Sequence, residues 1–293
     1  MPRNLTLQED TPMPTFDTPT PITATIDLAF GDVRISAGDR ADTIVEVHPS
    51  DASNAEDVKV AELTRVQYES ERLHVKAPKL RSWVSRSSGG SVEVTVQLPA
   101  GSHVHGAGGL ADFRCEGRLG DCRIKTGLGH IQVDEAATLS LKTGTGDISV
   151  DRVTGSAEVT TASGDVRLSE LDGSAVVKNS NGDTWVGVAR GDVRLTAANG
   201  RIAVDEARGS VVAKSANGDV RVGDVARGSA VLQTQVGDLE VGIREGTAAW
   251  LDVSSVAGRV HNALAAADAP EPSAETVEVR ARTMAGDVVI RRP

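Results

Sequence analysis

From Ile22 onward, apolar and polar residues alternate with a period of two. The first such runs are Ile22-Thr23-Ala24-Thr25-Ile26-Asp27-Leu28 and Thr43-Ile44-Val45-Glu46-Val47, with Gly31-Asp32 and Gly38-Asp39 as turns. Neighbouring side chains of a strand face opposite ways, so this alternation predicts half-buried strands. Arg72 to Lys76 and Ser91 to Leu98 read the same way, while Ala55 to Val66 fits either a short amphipathic helix or a loop. Residues 21–105 are expected as an antiparallel β layer, behind a Thr- and Pro-rich flexible arm over 1–20.

Near Gly106 the alternation acquires a longer period. Glycines recur at 146, 155, 164, 173, 182, 191, 200, 209, 218, 228, 237 and 246, with earlier members at 120 and 129; the steps from 146 are nine residues, with one ten. One set opens with Gly-Asp, as at Gly146-Asp147, Gly164-Asp165, Gly182-Asp183, Gly218-Asp219 and Gly237-Asp238; the other mostly opens with Gly-Ser. Two nonamers therefore make an eighteen-residue unit. The second and fourth residues after Gly are apolar, as in Val166 and Leu168 or Val220 and Val222, and are expected to face inward. The residue between them (Arg167, Trp185, Ala203, Arg221, Glu240) faces water.

The fold class that follows is all-β: a β-solenoid, β-helix-like, with about 18 residues per coil, antiparallel N-terminal strands and C-terminal capping strands. The repeats occupy 106–262, a loop 263–275, and capping strands 276–293. Asn181-Gly182, Asn199-Gly200 and Asn217-Gly218 share one turn position, where both residue types tolerate positive φ and stacked amides can form a ladder.

Composition narrows the function. Aromatics are 2% of the 293 residues, which removes the usual platform for stacking bases or sugars. The formal net charge of -10 and the lack of a Lys/Arg block disfavour nucleic acid. No apolar run reads as a secretory signal or a membrane span, so no membrane insertion is expected and a cytoplasmic location is, which two isolated cysteines suit.

The run Ser180-Asn181-Gly182-Asp183-Thr184-Trp185, the segment Gly246-Thr247-Ala248-Ala249-Trp250-Leu251-Asp252-Val253, and Leu98-Pro99-Ala100-Gly101-Ser102 resemble a bacterial β-strand-repeat family of unknown function labelled "putative adhesin". The chain looks like an actinobacterial member, covered from about residue 22 to its end. The resemblance implies a repeat β fold and no established catalytic residues.

Candidate chemistry is sparse. Asp147, Asp165, Asp183, Asp219 and Asp238 form a carboxylate column, read as capping turns by accepting backbone N–H bonds, with a calcium-binding repeat as an alternative. His103, His105, Cys115 and Cys122 are four residue types that ligate zinc, but the cysteines fall at inward positions and read as packing. Val176, Val212 and Val231 share an outward column, which is either a binding stripe or a surface covered by the N-terminal layer or the 263–275 segment. Hydrolase-elbow, phosphate-loop and zincin signatures are absent from the sequence, so no enzyme and no cofactor are expected. The expected function is that of a structural or interaction protein. It binds a protein partner or itself through the solenoid ends or the face bearing Arg167, Trp185, Arg221 and Glu240; the alternative is a carbohydrate-binding or carbohydrate-active protein.

Overall fold

The structure is a computed structural model that describes residues 14–78, 90–264 and 275–293. It opens with β1 (Thr15–Asp17), β2 (Thr23–Gly38), β3 (Asp42–Pro49), the helix α1 (Ala55–Leu63), β4 (Arg65–Glu69), β5 (Arg72–Lys76) and β6 (Val92–Pro99). The stretch open to either reading is thus the helix. Asn54 caps it, its side-chain oxygen accepting from the Glu56 N–H. Residues 1–13 of the expected arm lie outside the described residues. Thr15–Asp17, also placed in that arm, instead pairs with β3.

The stack itself comprises β7 (His103–Leu128), β8 (Ile131–Thr145), β9 (Ile148–Val153), β10 (Ala157–Ser163), β11 (Val166–Leu171), β12 (Ala175–Asn181), β13 (Thr184–Ala189), β14 (Val193–Asn199), β15 (Ile202–Ala207), β16 (Val211–Asn217), β17 (Val220–Val225), β18 (Gly228–Val236) and β19 (Leu239–Ile243). Strands of even number from β8 to β18 pair in parallel as one wall, and those of odd number from β9 to β19 as the other. The register is the eighteen-residue period: Ala157 faces Ala175 and Val166 faces Thr184. The single ten-residue step lengthens one coil, so that Val220 pairs with Leu239, and a bulge between Val222 and Val225 restores the register.

The inward positions hold. Val166, Leu168, Ile202, Val204, Val220, Val222, Leu239 and Val241 are all buried, and with Val153, Leu171, Ala189, Ala207 and Val225 they line one wall of the lumen. On the opposite wall the sequence pattern missed a buried polar column of Thr126, Thr143, Thr161, Asn179, Ser215, Thr234 and Thr283. Thr143, Asn179, Ser215, Thr234 and Thr283 each donate to the carbonyl of a corner glycine (Gly129, Gly164, Gly200, Gly218 and Gly237). Ala197 interrupts the column and the Thr161 hydroxyl is unpartnered; elsewhere a buried polar side chain is tolerable because each such bond satisfies two buried groups at once.

Both ends depart from sequence order. At the N-terminal end β2 lies between β7 on one side and β5 with β6 on the other, all in parallel. Antiparallel pairing in the expected N-terminal layer is confined to β1 with β3, β3 with β6, and β4 with β5. At the other end come β20 (Ala248–Ala257), β21 (Val260–Asn262), β22 (Thr276–Ala285) and β23 (Val288–Arg291). The strands expected at 276–293 form, but β22 inserts between β18 and β20, and β23 between β19 and β21. The outermost coil is therefore 248–262, and the C-terminal strands are paired on both edges. Residues 265–274, most of the expected loop, lie outside the described residues. Among the described residues no helix is long and apolar enough to cross a membrane.

Candidate functional site

The odd-numbered wall presents the residues singled out from sequence. Arg167, Trp185, Ala203, Arg221 and Glu240 stand in one file on β11, β13, β15, β17 and β19. The file breaks into two pairs. The Arg167 guanidinium lies 4.1 Å from the Trp185 ring centroid, and the indole Nε1 donates to Asp205 Oδ2 at 3.1 Å. Beyond Ala203, Arg221 Nε is 3.7 Å from Glu240 Oε2, and Arg291 Nε donates to Glu240 Oε1 at 2.7 Å.

The neighbouring positions of the same wall are also matched in charge. Arg152 donates to Asp172, and Arg190 bridges Asp172 and Glu170. One repeat pair further on, Arg244 bridges Glu206 and Asp224 while Arg208 holds Glu206. The hydrogen bond from Arg152, seconded by Arg190, holds the Asp172 carboxyl below its ordinary range, and Arg208 and Arg244 do the same for Glu206. Sequence reasoning located the Arg167–Glu240 file but not these pairings, because all but Arg208–Glu206 join residues eighteen to thirty-eight positions apart.

The corners carry two hydrogen-bonded columns. Asp147 Oδ1 accepts the Asp165 N–H, Asp165 the Asp183 N–H and Asp183 the Arg201 N–H, each at 2.8 Å; Asp219 accepts that of Asp238 at 2.9 Å. One carboxylate oxygen per turn is thus engaged by the backbone of the next coil. Beside this column Asn217 Nδ2 donates to Asn199 Oδ1 and Asn199 Nδ2 to Asn181 Oδ1, each at 2.9 Å. These amides and the adjoining Gly182, Gly200 and Gly218, all at positive φ, are turn-forming residues.

The histidines and cysteines do not converge. Cys115 and Cys122 are buried free thiols inside the stack, and the Cys122 thiol together with burial pushes the Cys115 pKa well up. His103 Nδ1 accepts the Asp121 N–H on the outside, and His105 Nε2 is 3.4 Å from Asp121 Oδ2. Strand alternation puts imidazoles and thiols on opposite sides of the sheet.

The even-numbered wall holds what the sequence reading missed. Lys125, Lys142, Thr160, Lys178, Thr196, Lys214, Gln233 and Arg282 occupy one outward column through consecutive pairings. All four lysines are exposed, and among the described residues none makes a side-chain hydrogen bond or ion pair. The signal was present: Lys142, Lys178 and Lys214 recur every thirty-six residues, two coils apart. It escapes a search keyed to single coils. The column of Val176, Val212 and Val231 flanks these lysines and is half-buried. The N-terminal strands do not cover it, since they pair at the end of the stack. Two shallow troughs open on this wall. One of about 670 Å³ borders Ser140, Glu158, Val176 and Lys178, and one of about 450 Å³ borders Lys214, Gln233, Arg282 and Met284.

Solved structures with similar chains include a "putative adhesin" from Bacteroides fragilis, 14% identical, covering 97% of this chain and 98% of that one with a TM-score of 0.40. Another "putative adhesin", from Parabacteroides merdae, is 10% identical over 94% and 95% of the two chains with a TM-score of 0.42. A "putative lipid binding protein" from Parabacteroides distasonis is 10% identical over 96% of each chain with a TM-score of 0.32. No curated protein matches the chain. Nothing in these comparisons supports the actinobacterial affinity expected from sequence. The eighteen-residue coils, parallel walls and glycine corners agree with a match to the family model over residues 24–291, and the chain belongs to the Toastrack family, DUF4097.

Proposed function

We propose that the protein is a non-catalytic interaction module that binds a protein partner through the odd-numbered wall. The observation carrying this reading is the stacked Arg167–Trp185 pair, held on a rigid parallel sheet and fixed further by Asp205. Arg and Trp are the residue types enriched among interface hot spots, and a pair already ordered by its neighbours loses little side-chain entropy on binding. The free thiols Cys115 and Cys122 support a reducing compartment, and with it the cytoplasm. The test is affinity purification of tagged protein from its own cells, wild type beside the Arg167→Ala/Trp185→Ala/Arg221→Ala variant. A partner captured by the wild type and lost by a variant with unchanged Tm supports the reading. Equal capture by both removes this face from it.

A second reading, self-association, rests on the open edge. Among the described residues β20 and β21 are paired on one side only, while the opposite end carries antiparallel strands and α1. Pairing of the β20–β21 edge with its own copy would give a closed two-fold dimer. Light scattering across a concentration series tests it, and a constant monomer mass would defeat it.

A further inference from the structure

We propose that the even-numbered wall binds a linear acidic polysaccharide, laid parallel to the stack axis along the column from Lys125 to Arg282. The cations of this column stand in single file. Strand spacing of about 4.8 Å makes the file roughly 34 Å long and separates Lys142, Lys178 and Lys214 by about 9.6 Å each. Arg282 takes the next position at the same step, since Gln233 intervenes between it and Lys214, but unlike the lysines it is ion-paired, with Asp252. The spacing is enforced by backbone hydrogen bonds, so the cations form a rigid one-dimensional array.

Charge complementarity selects the occupant. On the opposite wall arginines and carboxylates neutralise one another, whereas Lys125, Lys142, Lys178 and Lys214 have no acidic partner among the described residues, in a chain of net charge -10. The carboxylates on this wall are engaged or set aside from the file. Asp121 pairs with Arg123, Asp252 with Arg282, Glu278 with Arg280 and Asp192 accepts the Ser210 N–H; Glu158 stands in the valine column. A row of like charges about one Debye length apart costs little in salt solution but attracts a polyanion as a unit.

The surroundings of the file suit a sugar chain. Thr160, Thr196 and Gln233 alternate with the cations and offer hydrogen bonds to hydroxyls. Ala162, Ser180, Ala198 and Ala216 on one side form a low floor, and Val176, Val212 and Val231 on the other receive C–H faces. The trough of about 450 Å³ opens along this file at Lys214, Gln233 and Arg282, and that of about 670 Å³ meets it at Lys178. A single file of charge fits a thread better than a bilayer, for which interfacial elements bring large apolar anchors beside their cations.

This site lies on the wall opposite Arg167 and Trp185, so its failure and that of the protein-partner reading are separable. The probe is hyaluronan, a linear polymer with one carboxylate per disaccharide, a repeat of about two strand spacings. Immobilised polymer is titrated with full-length protein at low and physiological salt, with dextran as the neutral control and phosphatidylglycerol vesicles as a second arm. Binding that weakens with salt and falls about tenfold in the Lys142→Ala/Lys178→Ala/Lys214→Ala variant is expected, as the sum of three exposed charge contacts. A charge-matched Arg201→Ala/Arg227→Ala/Arg259→Ala variant, off this wall, is expected to stay within about twofold of wild type. No binding by wild type, equal loss in both variants, or binding to vesicles without binding to hyaluronan would each overturn the proposal.

Discussion

Three glycine-to-alanine substitutions separate the forces that set the coil corners. At Gly200, φ is +136°, and an added Cβ would sit 2.0 Å from the carbonyl oxygen of Gly182 in the preceding coil. Ordinary contact begins near 3.4 Å, so the coils must part by more than an ångström, about a quarter of their spacing. That displacement pulls on the bonds across the same gap, from the Gly182 N–H to Asn199 O and from the Thr184 N–H to Arg201 O, at 3.0 and 2.8 Å. Backbone strain of about 1–3 kcal/mol and overpacking of a similar size together give a loss of roughly 2–6 kcal/mol. At Gly246 the φ of +79° carries the strain alone, since nothing lies within 4 Å of the added carbon, and the expected loss is about 1–3 kcal/mol. Gly38 has neither penalty, and Gly38→Ala is expected to be neutral or to stabilise by about 0.4–1 kcal/mol. Urea denaturation of the three variants beside wild type, followed by far-UV circular dichroism, reads the series. The ordering Gly200 > Gly246 > Gly38 is the prediction; a Gly200→Ala variant within about 1 kcal/mol of wild type would refute the steric argument.

Further outcomes are specific to other parts of the stack. Thr184 is buried with an unpartnered hydroxyl, so Thr184→Val, which keeps the shape, is expected to raise stability by about 1 kcal/mol in the same urea assay. Asp172 and Glu206 are held below their ordinary pKa by arginines, so the stability they lend is complete above the unfolded carboxylate range, near pH 4, and is lost as pH falls through the lower folded values. Thermal melts from pH 7 to 3 are expected to show that acid loss, blunted in Arg190→Ala and Arg244→Ala. Cys115 and Cys122 are buried, and Cys115 is held as the thiol, so a thiol-specific reagent at pH 8 should label the protein only after denaturant is added. Deleting 276–293 is expected to release β20 and β21 from the stack, because they pair only with β22 and β23 there, and hydrogen exchange should then show 248–262 unprotected.

The coil is legible in the residues alone. A glycine every nine residues and inward Val, Ile and Leu at fixed offsets leave one arrangement in which residues eighteen apart stack, because only that register puts every apolar position inside and every glycine at a corner. The single ten-residue step was legible too, as the shift that brings Val220 opposite Leu239. Its turn chemistry could likewise be read locally: an Asp or Asn after or before a glycine at a repeating position bonds to its own equivalent in the next coil.

Tertiary structure decided which strand lies beside which at the ends. The period carries no information on the order of layers once it lapses, and β22 between β18 and β20 satisfies the same alternation that an outermost position would. Long-range pairing across a crossover chooses between them. The polar column of Thr143, Asn179 and Thr234 was equally hidden, since a Thr at a strand's inward position reads as ordinary alternation until the corner carbonyl beside it is seen. The functional surfaces divide in the same way. Outward exposure of Arg167, Trp185, Arg221 and Glu240 follows from strand period alone. That Asp205 holds the Trp185 indole and Arg291 matches Glu240, while the lysines of the other wall are left without acidic partners, depends on side chains brought together by stacking, which is a property of the assembled coils and not of any one of them.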